Sequence, residues 1–281
     1  MSNIGQVLKS AKELLNKASI TSYAIDAELI LMHVLDISRE RIIGYPETEI
    51  SDDKKNEFEE MLRRRINREP ISHIIGKREF WGMEFKVTNK TLDPRPDSET
   101  IIEAVLDNIK DRNKDLKILD LGTGTGCLLL SVLSEYKNAQ GVGIDISYDA
   151  IKVANYNSIK LGLAKRVGFV VGMWAEAIDC NFDVIISNPP YIRCNDIEHL
   201  QAEVSKYEPI SALDGGEDGF SCYRQIAPYI RKMLNPAGIA VIEHGIGQES
   251  EITKILVNSG FESVNYRSDL SGISRCIIVN A

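Results

Sequence analysis

Lys117-Ile118-Leu119-Asp120-Leu121-Gly122-Thr123-Gly124-Thr125-Gly126 opens as a short apolar strand and closes on three glycines spaced by threonines. A helix is expected to follow. Glycines at a strand-to-helix turn let the backbone bend sharply and come close to a ligand. A dinucleotide fingerprint would place a third glycine three positions beyond the second. Counted from Gly122 and Gly124 that position is Cys127, and counted from Gly124 and Gly126 it is Leu129, which argues against a nicotinamide cofactor. The turn also lacks the Gly-Lys-Ser/Thr ending of a P-loop, which argues against nucleotide triphosphate cleavage.

Outward from this turn the chain alternates short apolar runs with helical stretches. Gly141–Asp145, Val167–Val171, Phe182–Ser187 and Gly238–Glu243 read as four more strands. Helices between most of them make parallel βαβ units, the pattern of a doubly wound α/β sheet. Two further strands are expected near Phe261–Tyr266 and Ser274–Val279. Residues 268–273 are too few for a crossover helix, so this last pair should be antiparallel. Asp145 ends the second strand, where such folds place a carboxylate for ribose hydroxyls. Gly122, Thr123, Gly124, Thr125 and Gly126 together with Asp145 are similar to the layout that holds S-adenosylmethionine in the common class of methyltransferases.

Residues 1–70 differ. Ile4, Val7, Leu8, Ala11, Leu14 and Leu15 recur at helical spacing, as do Ala24, Ala27, Leu31, Val34 and Leu35. Ser51 or Asp52 should cap a third helix through Phe58 and Leu62 to Ile66. Arg63-Arg64-Arg65 at its end reads as cations favoured by the helix macrodipole rather than as a nucleic-acid patch. Residues 78–92 read as a β-hairpin turning at Gly82-Met83, Pro94-Arg95-Pro96 as stiff extended chain, and Asp97 or Ser98 as the cap of a new helix. The domains expected are 1–75 helical, 76–96 a hairpin linker and 97–281 the α/β domain. Phe80 and Trp81 are expected to pack between the domains, and Gly215, Gly216 and Gly219 suit either a mobile lid over the site or an ordinary surface loop.

The net charge of -8 argues mildly against a protein that grips duplex nucleic acid by its phosphates. The five cysteines form no C-x-x-C pair, and the histidines show no metal spacing, so neither a disulfide framework nor a metal site is expected. Residues 1–10 do not read as a signal peptide, and no apolar run approaches the ~20 residues a bilayer requires. A cytoplasmic monomer that needs no membrane is the expectation.

Ser187-Asn188-Pro189-Pro190-Tyr191 ends the fourth strand, and strand carboxyl ends face the ligand crevice of such a sheet. Two prolines fix the backbone and remove two donors. The Pro189 carbonyl and the Asn188 side-chain carbonyl are then two acceptors for one NH2 group, and Tyr191 offers a flat face for a planar group. A delocalised amide or exocyclic amino nitrogen is a poor nucleophile and gains positive charge as it attacks a methyl. Acceptors set in advance therefore bind the transition state more tightly than the ground state. Glutamine, adenine and guanine amino groups all fit this reasoning.

Nearly the whole chain resembles the release-factor glutamine methyltransferases, the HemK-like enzymes. The likeness runs through Glu69-Pro70-Ile71-Ser72-His73-Ile74-Ile75-Gly76, Phe80-Trp81-Gly82 and Pro94-Arg95-Pro96-Asp97-Ser98-Glu99. It continues through the Asp120–Gly126 loop, Ser187–Ile192, Tyr207-Glu208-Pro209 and Ala212–Gly216. The resemblance implies a Rossmann-like, seven-stranded class I methyltransferase domain and a helical domain that docks the release factor. It implies that Trp174 lines the adenine of S-adenosylmethionine. It also implies that Asn188, Pro189, Pro190 and Tyr191 grip the glutamine of a Gly-Gly-Gln motif, with Asn188 beside the cofactor as well. Met173 stands where that family often has an acidic residue. A nucleic-acid amino methyltransferase using the same tetrapeptide is the alternative.

Overall fold

The computed structural model describes residues 2–176 and 178–281. The chain forms two compact units, Met1–Gly76 with Gln201–Tyr207, and Lys77–Leu200 with Glu208–Ala281.

In the first unit, α1 (Ile4–Lys17) starts at Asn3, whose side chain accepts from the Gln6 backbone while the Gln6 side chain accepts from the Asn3 backbone. This reciprocal cap satisfies two amides that a helix start would otherwise leave unpaired. Ile4, Val7, Leu8, Ala11 and Leu15 form its buried stripe, whereas Leu14 is largely exposed. They pack with Ala27, Ile30, Leu31 and Val34 of α2 (Tyr23–Leu35) and Phe58 and Leu62 of α4 (Asp52–Ile66). Ser51 caps α4 as expected, accepting from Lys54. Two short helices, α3 (Arg39–Gly44) and α5 (Ile71–Ile75), and the two-residue strands β1 (Ser2–Asn3) and β2 (Glu49–Ile50) complete the bundle with α9 (Ala202–Ser205).

The arginines at the end of α4 do more than face a helix dipole. Arg65 is buried; its Nε donates to Asp26 at 2.7 Å and its Nη1 to Glu203 at 3.1 Å. Arg68 donates to the other Glu203 oxygen at 2.7 Å, and Tyr207 to the Asn67 carbonyl at 2.9 Å. These bonds are what places residues 201–207 in the helical unit.

The second unit opens with a hairpin, β3 (Lys77–Phe80) and β4 (Met83–Lys86), in which Phe80 faces Met83. The turn is therefore Trp81-Gly82, one residue earlier than expected, and both residues have positive φ, 52° and 68°. Two-residue hairpin turns favour that handedness because it matches strand twist. A tryptophan there is unusual, and its bonds explain it: the Trp81 amide donates to Glu99 and its indole to Glu135, both at 2.8 Å. Phe80 and Trp81 thus pack onto the core of the second unit itself rather than between domains.

The sheet holds seven strands: β5 (Lys117–Leu121), β6 (Gln140–Asp145), β7 (Val167–Val171), β8 (Phe182–Ser187), β9 (Leu234–Glu243), β10 (Val264–Ser268) and β11 (Ser274–Asn280). Their order is β10-β11-β9-β8-β5-β6-β7, and β11 runs antiparallel to both neighbours. Alternate residues serve the two faces. Ile118, Val184, Ile186 and Val241 pack in one core with residues of α6 (Glu99–Asn108) and α7 (Cys127–Glu135). Leu119, Ile185, Ala240 and Ile242 pack in the other with α10 (Ser221–Met233) and α11 (Glu249–Asn258). The chain builds outward from β5 through β6 and β7, then returns to place β8 on the other side of β5. That reversal opens a crevice at the carboxyl ends of β5 and β8, where ligands bind such sheets.

Candidate active site

A cavity of about 270 Å³ lies at that crevice. Of the residues singled out in the sequence, Gly122, Thr123, Gly124, Thr125, Asp145, Trp174, Asn188 and Pro190 line it, and Gly126, Pro189 and Tyr191 do not.

The floor is the glycine turn. Gly122, Gly124 and Gly126 all have positive φ, and the amides of Gly122 and Thr123 both donate to the Ile144 carbonyl. The side of Gly122 where a Cβ would stand looks toward the Trp174 ring, 3.8 Å from that point. A slot beside the turn is thus kept open under an aromatic wall. Asn157, fully buried, holds the turn from behind by donating to the Thr125 carbonyl at 2.9 Å and bonding the Lys86 backbone of the hairpin.

Asp145 accepts from Gly124 N at 2.9 Å through one oxygen and from Ser147 N at 2.8 Å through the other. Burial raises its pKa, and these two amides oppose the rise. It does not cap the following helix, α8 (Tyr148–Lys160); Ser147 does, accepting from Ala150. Asp145 is left with lone pairs toward the cavity for further donors such as a ribose diol. Asp120, deeper still, accepts from the Thr123 hydroxyl at 2.7 Å, and its other oxygen has no partner among the described residues. Burial pushes its carboxyl up to about 7.

Trp174 sits at φ 50° and its indole donates to Gln225 at 2.6 Å. A non-glycine residue in that region stores strain of ~1–3 kcal/mol and usually marks a functional position. Gln225, on α10, was not legible in the sequence; nothing local distinguishes a glutamine on an amphipathic helix. Met173 lines the cavity with a thioether and supplies no acid. Cys127 and Cys222 also line it, but burial pushes their thiols up to about 12 and 11, so they are not nucleophiles at neutral pH.

Beside the glycine turn, past the end of β8, Asn188 Nδ2 donates to Ser98 Oγ at 3.1 Å. Ser98 was expected as a helix cap; its side chain makes no cap bond and serves Asn188 instead. The tetrapeptide is fixed from both sides: Tyr191 O accepts from Gln248 at 3.0 Å, and Ile192 pairs with Asp214 in a short parallel bridge. Burial raises the Tyr191 pKa, so the ring stays a neutral phenol. The glycine-containing loop after Ala212 is bonded to the segment that follows Tyr191, Gly215 N to Ile192 O and Cys194 N to Gly216 O. Arg95 reaches both oxygens of Glu208 at 2.6 and 2.8 Å, which ties the Pro94–Pro96 stretch to the residue before Pro209; Pro94, Arg95 and Pro209 all line the cavity. His244, just past the end of β9, has its Nδ1 2.9 Å from the Gly245 carbonyl and its Nε2 3.1 Å from the Ser274 hydroxyl.

Residues 6–76 match the PrmC N-terminal domain, and residues 112–265 match a methyltransferase domain. The release factor glutamine methyltransferase of Rhodospirillum rubrum is 39% identical over 98% of this chain and 84% of its own length. The chain belongs to the release factor glutamine methyltransferase family. A second member of the family, from Agrobacterium fabrum, is 36% identical over 96% of this chain and 94% of its own. A bifunctional methyltransferase of Rickettsia felis is 35% identical over 98% of this chain, which spans 58% of that protein. The family's methyltransferase fold is also that of a Pyrococcus furiosus methyltransferase, with a TM-score of 0.52 at 18% identity, covering 70% of this chain and 88% of that one. No helix among the described residues is long and apolar enough to cross a membrane.

Proposed function

We propose that this member of the family transfers a methyl group from S-adenosylmethionine to the side-chain amide nitrogen of the glutamine in the Gly-Gly-Gln motif of peptide-chain release factors. The observation that carries this reading is the meeting of two sets of residues at one cavity. One set is the glycine turn with Asp145 and Trp174; the other is Asn188, past the end of β8 and beside the glycine turn in the sheet. The cradle fits the cofactor chemically: an acceptor for ribose hydroxyls at Asp145 and an aromatic face at Trp174. When bound there the cofactor supplies an electrophilic methyl.

The protein's own part is placement. The Asn188 Oδ1 accepts one N–H of the target amide, and the Pro189 carbonyl and the Tyr191 ring, although outside the cavity lining, serve as the second acceptor and the flat face for the same group. As the nitrogen attacks, its N–H groups become stronger donors and these acceptors hold them more tightly. No strong base is needed, because the proton becomes acidic only after the N–C bond has formed. The helical unit docks the release factor, and the enzyme acts as a cytoplasmic monomer without direct nucleic-acid contact. A nucleic-acid amino methyltransferase is not favoured, since the relatives matched over nearly the full chain are named for release-factor glutamine.

Incubation with labelled S-adenosylmethionine and a purified release factor should place one methyl on that glutamine, located by peptide mass mapping. Changing the glutamine should abolish labelling; transfer to RNA or DNA in its place would overturn the reading. For the cofactor wall, Asp145→Ala should raise the S-adenosylmethionine Kd about 10- to 100-fold, because charge-assisted hydrogen bonds contribute ~1.5–3 kcal/mol. Calorimetric titration checks this, and an unchanged Kd would remove Asp145 from the site.

A further inference from the structure

Glu243 is a buried acid that the reaction above does not use. It ends β9, and the register of the parallel strands pairs Ser187 of β8 with Ile242 of β9, so Glu243 and Asn188 leave the sheet side by side. Its residue is 3% exposed, and its Oε2 has no hydrogen-bond partner among the described residues. Burial pushes its carboxyl up to about 7; the neighbouring Ser98 hydroxyl, Arg275 and the Asn188 amide pull it down, while Asp97 adds to the rise.

The direction of the Asn188–Ser98 bond matters. An asparagine amide has one accepting and one donating end, and rotation by half a turn exchanges them. Only one orientation presents Oδ1 to a substrate NH2. A hydroxyl has one proton: if Ser98 gives it to a neighbouring carboxylate, its oxygen can only accept from Asn188, and Asn188 must offer Nδ2. This is the bond observed, 3.1 Å from Asn188 Nδ2 to Ser98 Oγ.

We propose that Glu243 is a positioning residue that fixes the direction of a hydrogen-bond chain, Asn188 to Ser98 to Glu243, and thereby turns the Asn188 carbonyl oxygen toward the substrate. The chain works while Glu243 is ionised, and a positive charge in the neighbouring cavity favours that form. A glutamine in its place keeps the shape but carries donors of its own. It can give an N–H to Ser98, reverse the hydroxyl and let Asn188 turn its oxygen inward.

This inference rests on the assignment of Asn188 Oδ1 as an acceptor for the target amide. The test is a double-mutant cycle on methyl transfer to a release factor, with Asn188→Ala as reference. Glu243→Gln and Ser98→Ala should each lower kcat by about tenfold or more, as expected for misaligning a preset polar group. The release-factor KM and the S-adenosylmethionine Kd should stay within about twofold. The double variant should be no slower than the slower single, because either change alone breaks the chain. If Glu243→Gln does not fold, Ser98→Ala carries the test alone. Wild-type kcat in Ser98→Ala, fully additive losses, or losses confined to KM or Kd would overturn the proposal. Wild-type kcat in Asn188→Ala would instead overturn the acceptor assignment beneath it.

Discussion

Asn188→Ala should lower the rate of methyl transfer to a release factor by about 10²- to 10³-fold, the usual loss when one preset group facing developing charge is removed. The S-adenosylmethionine Kd should change by less than about threefold, since the anchors proposed for the cofactor are the glycine turn and Asp145 rather than Asn188. The asymmetry follows from where charge develops. A ground-state amide nitrogen is nearly neutral, and its N–H groups are ordinary donors. Only as the methyl transfers does the nitrogen become cationic, so an acceptor there contributes to kcat far more than to binding. Single-turnover kinetics and calorimetric titration separate the two quantities. Parallel loss of both would mean that Asn188 holds the cofactor rather than the target.

Arg65→Ala should destabilise the helical unit by about 3–5 kcal/mol, the cost of leaving buried partners of a removed charge uncompensated. Two of its three partners are acids, Asp26 at 2.7 Å and Glu203 at 3.1 Å, the third being the Glu69 carbonyl at 3.2 Å, and Asp26 is 3% exposed. Arg63, two residues earlier, is the internal control. It lies on the exposed face with only Glu60 and the Glu59 carbonyl near it, and its replacement by alanine should stay within about 0.5 kcal/mol. Urea unfolding followed by far-ultraviolet circular dichroism measures both. Equal effects would show that the buried cluster contributes no more than a surface pair.

The parts of this fold that are local in sequence were legible in it. The strand-glycine-helix turn, the five parallel strands and the antiparallel final pair follow from periodicity, loop length and glycine placement. The cavity walls followed too, because a parallel sheet dictates that residues just past strand ends meet at the topological reversal. What escaped depends on distant partners. Arg65 looks like any cation at a helix end until Glu203, 138 positions away, is placed against it. Ser98 has the side chain of a helix cap, and only the β8 register shows that its hydroxyl faces Asn188. Trp81 occupies a conformation that sequence rules give to glycine or asparagine, and Glu99 and Glu135 are what hold it there. Glu243 ends an apolar run, where an acid reads as mere strand termination.

The helical unit is discontinuous: it needs residues 201–207, which follow the whole first half of the sheet. On a ribosome, residues 77–200 must be polymerised before Glu203 exists. At about 5–20 residues per second that interval is on the order of ten seconds. Through it, the nascent bundle has only Asp26 and the Glu69 carbonyl for Arg65 and lacks the Glu203 contacts of its final form. Vectorial synthesis therefore does not finish this protein from its amino terminus onward; completion of the bundle waits until β5 through β8 have been made.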